Sequence, residues 1–179
     1  MIRVASLFAL ALLTACQSGK VDEEQDASNV SAARTPALLP VVIQTTGGSA
    51  HRFDVEVART PQEQDKGLMF RKEIAADGGM LFPMDPPRTA SFWMKDTLVP
   101  LDMLFIHTDG TIAFVKAQAQ PYAREPISAG VPVAAVLELR GGRAAELGIG
   151  EGDRVSWGGC AVPTDTLTTD LNFCPAPAR

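Results

Sequence analysis

Glycine and proline interrupt this chain so often between Val41 and Trp157 that no long helix fits. Fifteen glycines and thirteen prolines stand among its 179 residues. Glycine loosens the backbone and proline removes a donor, so ordered segments must be short and bounded by turns. His51-Arg52-Phe53-Asp54-Val55-Glu56-Val57-Ala58 alternates polar and apolar residues, as a half-buried strand does. Thr60-Pro61-Gln62-Glu63 then offers an N-cap, a proline at the first helical position and a capping box, with Gly67 placed to end a short helix. Residues 79–82 and 90–94 are short apolar stretches around Pro83-Met84-Asp85-Pro86-Pro87-Arg88, whose prolines are incompatible with a central strand. Residues 101–107 and 111–117 read as strands joined through the hairpin signal Asp109-Gly110. Residues 131–139 make a further strand. Gly141-Gly142-Arg143 opens one or two helical turns ending at Gly148, and residues 154–157 form a last strand. The expected class is α+β, mostly antiparallel β: a compact barrel-like β domain with two short helices.

The N-terminus reads as an address. Met1-Ile2-Arg3 gives a positive start, and the ten residues from Val4 to Leu13 are apolar or small apart from Ser6. As a helix they span about 15 Å, half of a bilayer core, so the run suits a secretory signal and not a transmembrane span. Leu13-Thr14-Ala15-Cys16 resembles the lipobox of bacterial lipoprotein signal peptides. That resemblance implies cleavage before Cys16, lipid on its thiol and acylation of its new amine. Several acyl chains on one residue give stable membrane anchoring. Gln17 stands where an inner-membrane retention signal places Asp, which favours the outer membrane. The expected layout is a signal peptide over 1–15, the lipidated Cys16 and a flexible polar tether over 16–40, the β domain over 41–160 and a tail over 161–179. Cys160 and Cys174 remain in an oxidising compartment and are expected to pair, closing a loop worth about 3 kcal/mol. The expected location is the periplasmic face of the cell envelope.

Sixteen basic against twenty-one acidic residues give a formal charge of −5, and cleavage would remove only Arg3 from that balance. A general nucleic-acid binder needs a basic face, so no nucleic-acid partner is expected. His51 and His107 have no second ligand at metal spacing, and no dedicated metal site is expected. Nucleophile elbow, Walker loop and dinucleotide fingerprint are all missing, which leaves no cofactor to propose.

Gly67-Leu68-Met69-Phe70-Arg71, Gly79-Met80-Leu81-Phe82, Phe92-Trp93-Met94-Lys95-Asp96-Thr97, Pro100-Leu101-Asp102-Met103, Val136-Leu137-Glu138-Leu139, Gly148-Ile149 and Gly152-Asp153 follow one another in a recognisable order. Over residues 51–157 the chain resembles the uncharacterised bacterial and archaeal family called domain of unknown function 192. The resemblance implies a compact β-rich fold and frequent export, and it implies no activity. Asp96 departs from the family pattern, which has Asn there, and adds a negative charge.

Several residues invite a functional reading beside a plain one. Alternation puts Phe92, Met94 and Asp96 on one face of a strand and Trp93, Lys95 and Thr97 on the other. These are either core aromatics with a solvated strand end, or the aromatic and charged rim of a ligand pocket. Asp102, in Leu101-Asp102-Met103, and Glu138 both sit in apolar runs, where a carboxyl must be paired, hydrogen-bonded or raised in pKa. Arg71, Arg88 and Lys95 are the cations available to them. Two such acids either fix the fold or form a general acid/base couple across a bond. Gly141-Gly142-Arg143 is either an ordinary turn or an anion cradle. The candidate ligand-binding set is therefore Arg71, Trp93, Lys95, Asp96, Thr97, Asp102 and Glu138. The favoured function is binding of a small molecule or envelope partner; the alternative is a periplasmic hydrolase or lyase using Asp96, Asp102 or Glu138. Pure scaffolding, a third reading, would leave no cavity.

Overall fold

Seven strands form one sheet in the order β5-β4-β6-β3-β2-β1-β7. They are β1 (Leu39–Gln44), β2 (Ala50–Val57), β3 (Gly79–Thr89), β4 (Leu101–Ile106), β5 (Ile112–Ala119), β6 (Pro132–Arg140) and β7 (Arg154–Trp157), with helices α1 (Pro61–Lys66) and α2 (Arg143–Leu147). The structure is a computed structural model that describes residues 38–161 and 170–175. The signal-like run, Cys16 and residues 17–37 of the expected tether lie outside the described residues, as do 162–169 and 176–179 of the tail. Every pairing is antiparallel except β2 with β3. The expected α+β, mostly antiparallel class therefore holds.

The barrel-like expectation needs refinement, because the sheet is not closed. Its edge strands meet at their ends, where Ile112 N–H donates to Asp153 O (2.8 Å) and Val155 N–H to Gly110 O (2.8 Å). Gly110, at φ 86°, is required here: a Cβ would collide with Pro175 and crowd the Val155 carbonyl.

All six residues of β4 are buried, so the sheet is covered on both faces. Leu104 and Ile106 point to one side with Phe53, Val55 and Leu137. Met103 and Phe105 point to the other with Phe82 and Met94. A strand buried on both faces cannot place Asp102 in water, so the fold must supply partners for it.

Three local expectations are corrected. The prolines of the 83–88 segment do not end a strand: β3 runs through them as an interior strand, and the ladder jumps from Pro83↔Ala135 to Arg88↔Val133. Met84 to Pro87 thus bulge out opposite Ala134, which takes Pro86 and Pro87 out of the ladder. Residues 90–94 form no strand beyond the single bridge Phe92↔Ile127. β1 also begins at Leu39, inside the stretch read as tether, because buried Leu39 pairs opposite Val55. The tail returns to the domain: Cys160 and Cys174 are joined, and Phe173 stacks on Trp157 at 4.1 Å.

Candidate functional site

The two buried acids of the central strands have opposite fates. The ladder pairs Asp102 with Leu139 and Met103 with Glu138. Leu139 and Met103 belong to different core clusters, so the two carboxyls lie on opposite faces of the sheet. They do not flank a common bond.

Asp102 is fully buried and fully engaged. Its Oδ1 accepts from the backbone N–H of Gln118 (2.8 Å) and Gly142 (2.9 Å), and its Oδ2 from Ala144 N–H (2.8 Å). Two of these donors open α2, whose own N-cap, Gly142, has no side chain to offer. The Gly141-Gly142-Arg143 turn does cradle an acceptor, the Asp102 carboxyl that the chain itself supplies. None of Arg71, Arg88 and Lys95 partners Asp102.

Glu138 is 4% exposed, between Met80 of β3 and Met103 of β4 in the ladder. Both neighbours are apolar, so burial alone pushes its pKa from 4.5 up to about 8. No hydrogen bond or opposite charge among the described residues offsets that cost. What Glu138 faces is a cavity of about 610 Å³, within the range of small-molecule sites.

Three pieces of chain wall this cavity. The first is α1 with its exit, contributing Gln64, Lys66 and Leu68. The capping box anticipated above is formed: Thr60 Oγ1 accepts from Glu63 N–H (3.2 Å) and Glu63 Oε2 accepts from Thr60 N–H (2.9 Å). Backbone donation from Thr60 and Arg59 accordingly holds the Glu63 carboxyl below its usual value. No residue of α1 is buried, so its position depends on polar ties. Gln64 provides them, donating to Ala58 O (3.3 Å) and Pro83 O (3.1 Å) while accepting from Arg88 Nη2 (3.3 Å).

The second wall is β3, with Phe82, Met84 and Arg88. The third is residues 90–97. Phe92 packs edge-on against Phe82 (5.0 Å) and Phe105 (6.0 Å), and exchanges two 2.8 Å backbone hydrogen bonds with Ile127. Trp93 is half exposed, with Lys95 Nζ 5.5 Å from its ring centroid. The turn that follows sets Asp96 at φ 53°, a left-handed conformation, while its carbonyl accepts from Phe70 N–H (2.8 Å). Trp93, Lys95 and Thr97, expected on one face, all line one cavity, and Phe92, expected on the other face, lines it too.

Of the seven candidates, Trp93, Lys95, Thr97 and Glu138 come together. Arg71 instead holds Glu56 through two contacts of 2.6 and 2.7 Å, Asp96 lies in the turn, and Asp102 faces α2. The candidate set lacked Gln64, Lys66 and Arg88. Lone polar residues on a six-residue helix and in a proline-rich loop carry no periodic signal. With Lys95, Lys66 and Arg88 place three cations on the lining, none in an ion pair among the described residues, against Asp65 and Glu138. Among the described residues no group of three potential metal ligands occurs, and no helix is long and apolar enough to cross a membrane.

Residues 42–157 match the model of domain of unknown function 192, an uncharacterized ACR family. The chain belongs to this family. No curated protein matches it. Two crystal structures resemble it at a TM-score of 0.66. One is a Sinorhizobium meliloti 1021 protein described as a transcription regulator candidate, 42% identical, the match covering 68% of this chain and 95% of that one. The other is a protein of unknown function from Novosphingobium aromaticivorans DSM 12444, 44% identical over 70% of this chain and 89% of that one.

Proposed function

We propose that this member of the family is a lipid-anchored protein of the cell envelope whose domain binds a small molecule in the Glu138 cavity. One observation carries the binding reading: a buried carboxyl with no partner among the described residues opens onto a cavity of ligand size. An unsatisfied buried acid is costly, and a ligand that hydrogen-bonds to it recovers that cost. The aromatic side chains of Phe82, Phe92 and Trp93 beside charged and polar ones suit the same role. Anchoring rests on Leu13-Thr14-Ala15-Cys16, with Gln17 directing the protein to the outer membrane and the domain facing the periplasm. The label on the Sinorhizobium meliloti relative is not carried over, since a chain of charge −5 lacks the basic excess that nucleic acid demands.

A second reading uses the same side chain. A carboxyl titrating near 8 stays protonated at neutral pH and can serve as a general acid. Two-carboxylate hydrolysis finds no support, because Asp102 faces away and Asp96 does not line the cavity.

A fragment screen by NMR on the full chain tests binding. Hits should shift the Trp93 indole signal and lose affinity in Trp93→Ala. A screen with no hit at cavity residues would contradict the proposal. Recovery of fragments chemically changed by wild type but intact with Glu138→Gln would favour the catalytic reading. For the anchor, Cys16→Ser should release the protein from the membrane fraction or leave it unprocessed. Mature-sized variant still in that fraction would sink the lipid assignment.

A further inference from the structure

The cavity lining is ordered by charge from floor to mouth. Glu138 forms the buried floor, while Lys66 and Arg88 are exposed and Lys95 is partly so. Between them stand Leu68, Phe82 and Met84, all buried, with Phe92. Asp65 is the one other acid on the lining, and it is exposed.

Each end asks for a different chemistry. Three cations without counter-ions among the described residues draw an anionic group to the mouth. At the floor, an acid with no donor among the described residues asks for a hydrogen-bond donor, and an ionised one asks for a cation. The buried apolar side chains between them add no charged group to satisfy along the way. A simple anion would meet the mouth and leave the floor unanswered. A simple cation would meet the floor but must pass three like charges.

We propose that the ligand is a dipolar molecule, with a protonated amine reaching Glu138 and a carboxylate or phosphate held among Lys66, Arg88 and Lys95, the two joined by an apolar body. This rests on the binding reading of the same cavity and adds the chemical class of its occupant. Binding of the amine ionises Glu138, whose proton passes to the buffer. The charged and titratable groups that line the cavity around it are Asp65, Lys66, Arg88 and Lys95.

The test uses the full chain in detergent at pH 7, with 4-aminobutanoate, 6-aminohexanoate and 8-aminooctanoate as probes. Fatty acids and alkylamines of matching length are the controls. Affinity is read from the Trp93 indole signal and ionisation from the Glu138 carboxyl carbon. At least one amino acid should bind about tenfold tighter than both of its controls, the size of a charge-assisted hydrogen bond. It should also shift the Glu138 carboxyl to its ionised position. Glu138→Gln should bring amino acid and fatty acid to equal affinity while leaving the fatty acid unchanged. Arg88→Ala should weaken amino and fatty acids alike and spare the amines.

Equal binding of amino acid and fatty acid to wild type would overturn the dipolar assignment and leave the cavity as a ligand site. So would fragment hits in the cavity with no response to any of these probes. Silence from both the probes and the fragments would remove the binding reading itself.

Discussion

Asp102 and Glu138 occupy neighbouring strands, one residue out of register and on opposite faces of the sheet, and they differ in what they receive. Asp102 receives three backbone N–H groups, and the chain that delivers them folds as α2 and the end of β5. Glu138 receives none among the described residues, and what it faces is a cavity. A buried acid that fixes a fold is closed in on all sides. One that serves a ligand is left open at a cost in stability, and the fold bears that cost through its two-sided core.

Removing Asp102 should cause the largest effect. Asp102→Ala strips three buried N–H groups of their acceptor and uncaps α2, with an expected loss of about 5 kcal/mol or more. Urea denaturation of the full chain reads this directly. A loss under about 1 kcal/mol would erase the distinction between the two acids.

Glu138 should behave in the opposite sense, and only at high pH. Its folded pKa of about 8 lies above the ordinary 4.5, so between those values the unfolded chain has given up the proton that the folded domain still holds. Stability is then complete below about pH 4.5, falls as pH rises and levels off above about 8. The fall amounts to up to about 5 kcal/mol for a group this buried. Glu138→Gln should match wild type at pH 4 and exceed it by that same amount, up to about 5 kcal/mol, at pH 9. A variant no more stable than wild type at pH 9 would mean that Glu138 already has a partner.

The smallest effects should fall on the exposed cavity wall. Trp93→Ala and Lys95→Ala break a half-exposed cation–π contact and should change stability by less than about 1 kcal/mol. Thermal unfolding of each variant beside wild type checks this. A larger loss would recast the wall as a structural element.

Much of the fold could be read from local signals. The Thr60 capping box, the Asp109-Gly110 hairpin and the Cys160–Cys174 bridge depend on residues near one another or on simple counting. β1 escaped because its apolar run sits beside a polar stretch and its partners, β2 and β7, lie later in the chain. The prolines of β3 misled because a bulge places Pro86 and Pro87 outside the ladder. Half of the candidate site was visible as unusual residues in apolar settings. The separation of Asp102 from Glu138 was not, since Leu-Asp-Met and Val-Leu-Glu-Leu look alike locally. The donors that distinguish them come from positions 16, 40 and 42 residues beyond Asp102. Only tertiary structure brings those amides to one carboxyl and leaves the other facing open space.

The most direct measurement is the titration of the Glu138 carboxyl by carbon-13 NMR in the unliganded full chain, assigned by its disappearance in Glu138→Gln. A midpoint near 8 is the predicted result and marks a buried acid awaiting a partner. A midpoint at or below 4.5 would show a carboxylate already satisfied, and would contradict the assignment of this cavity as a ligand site.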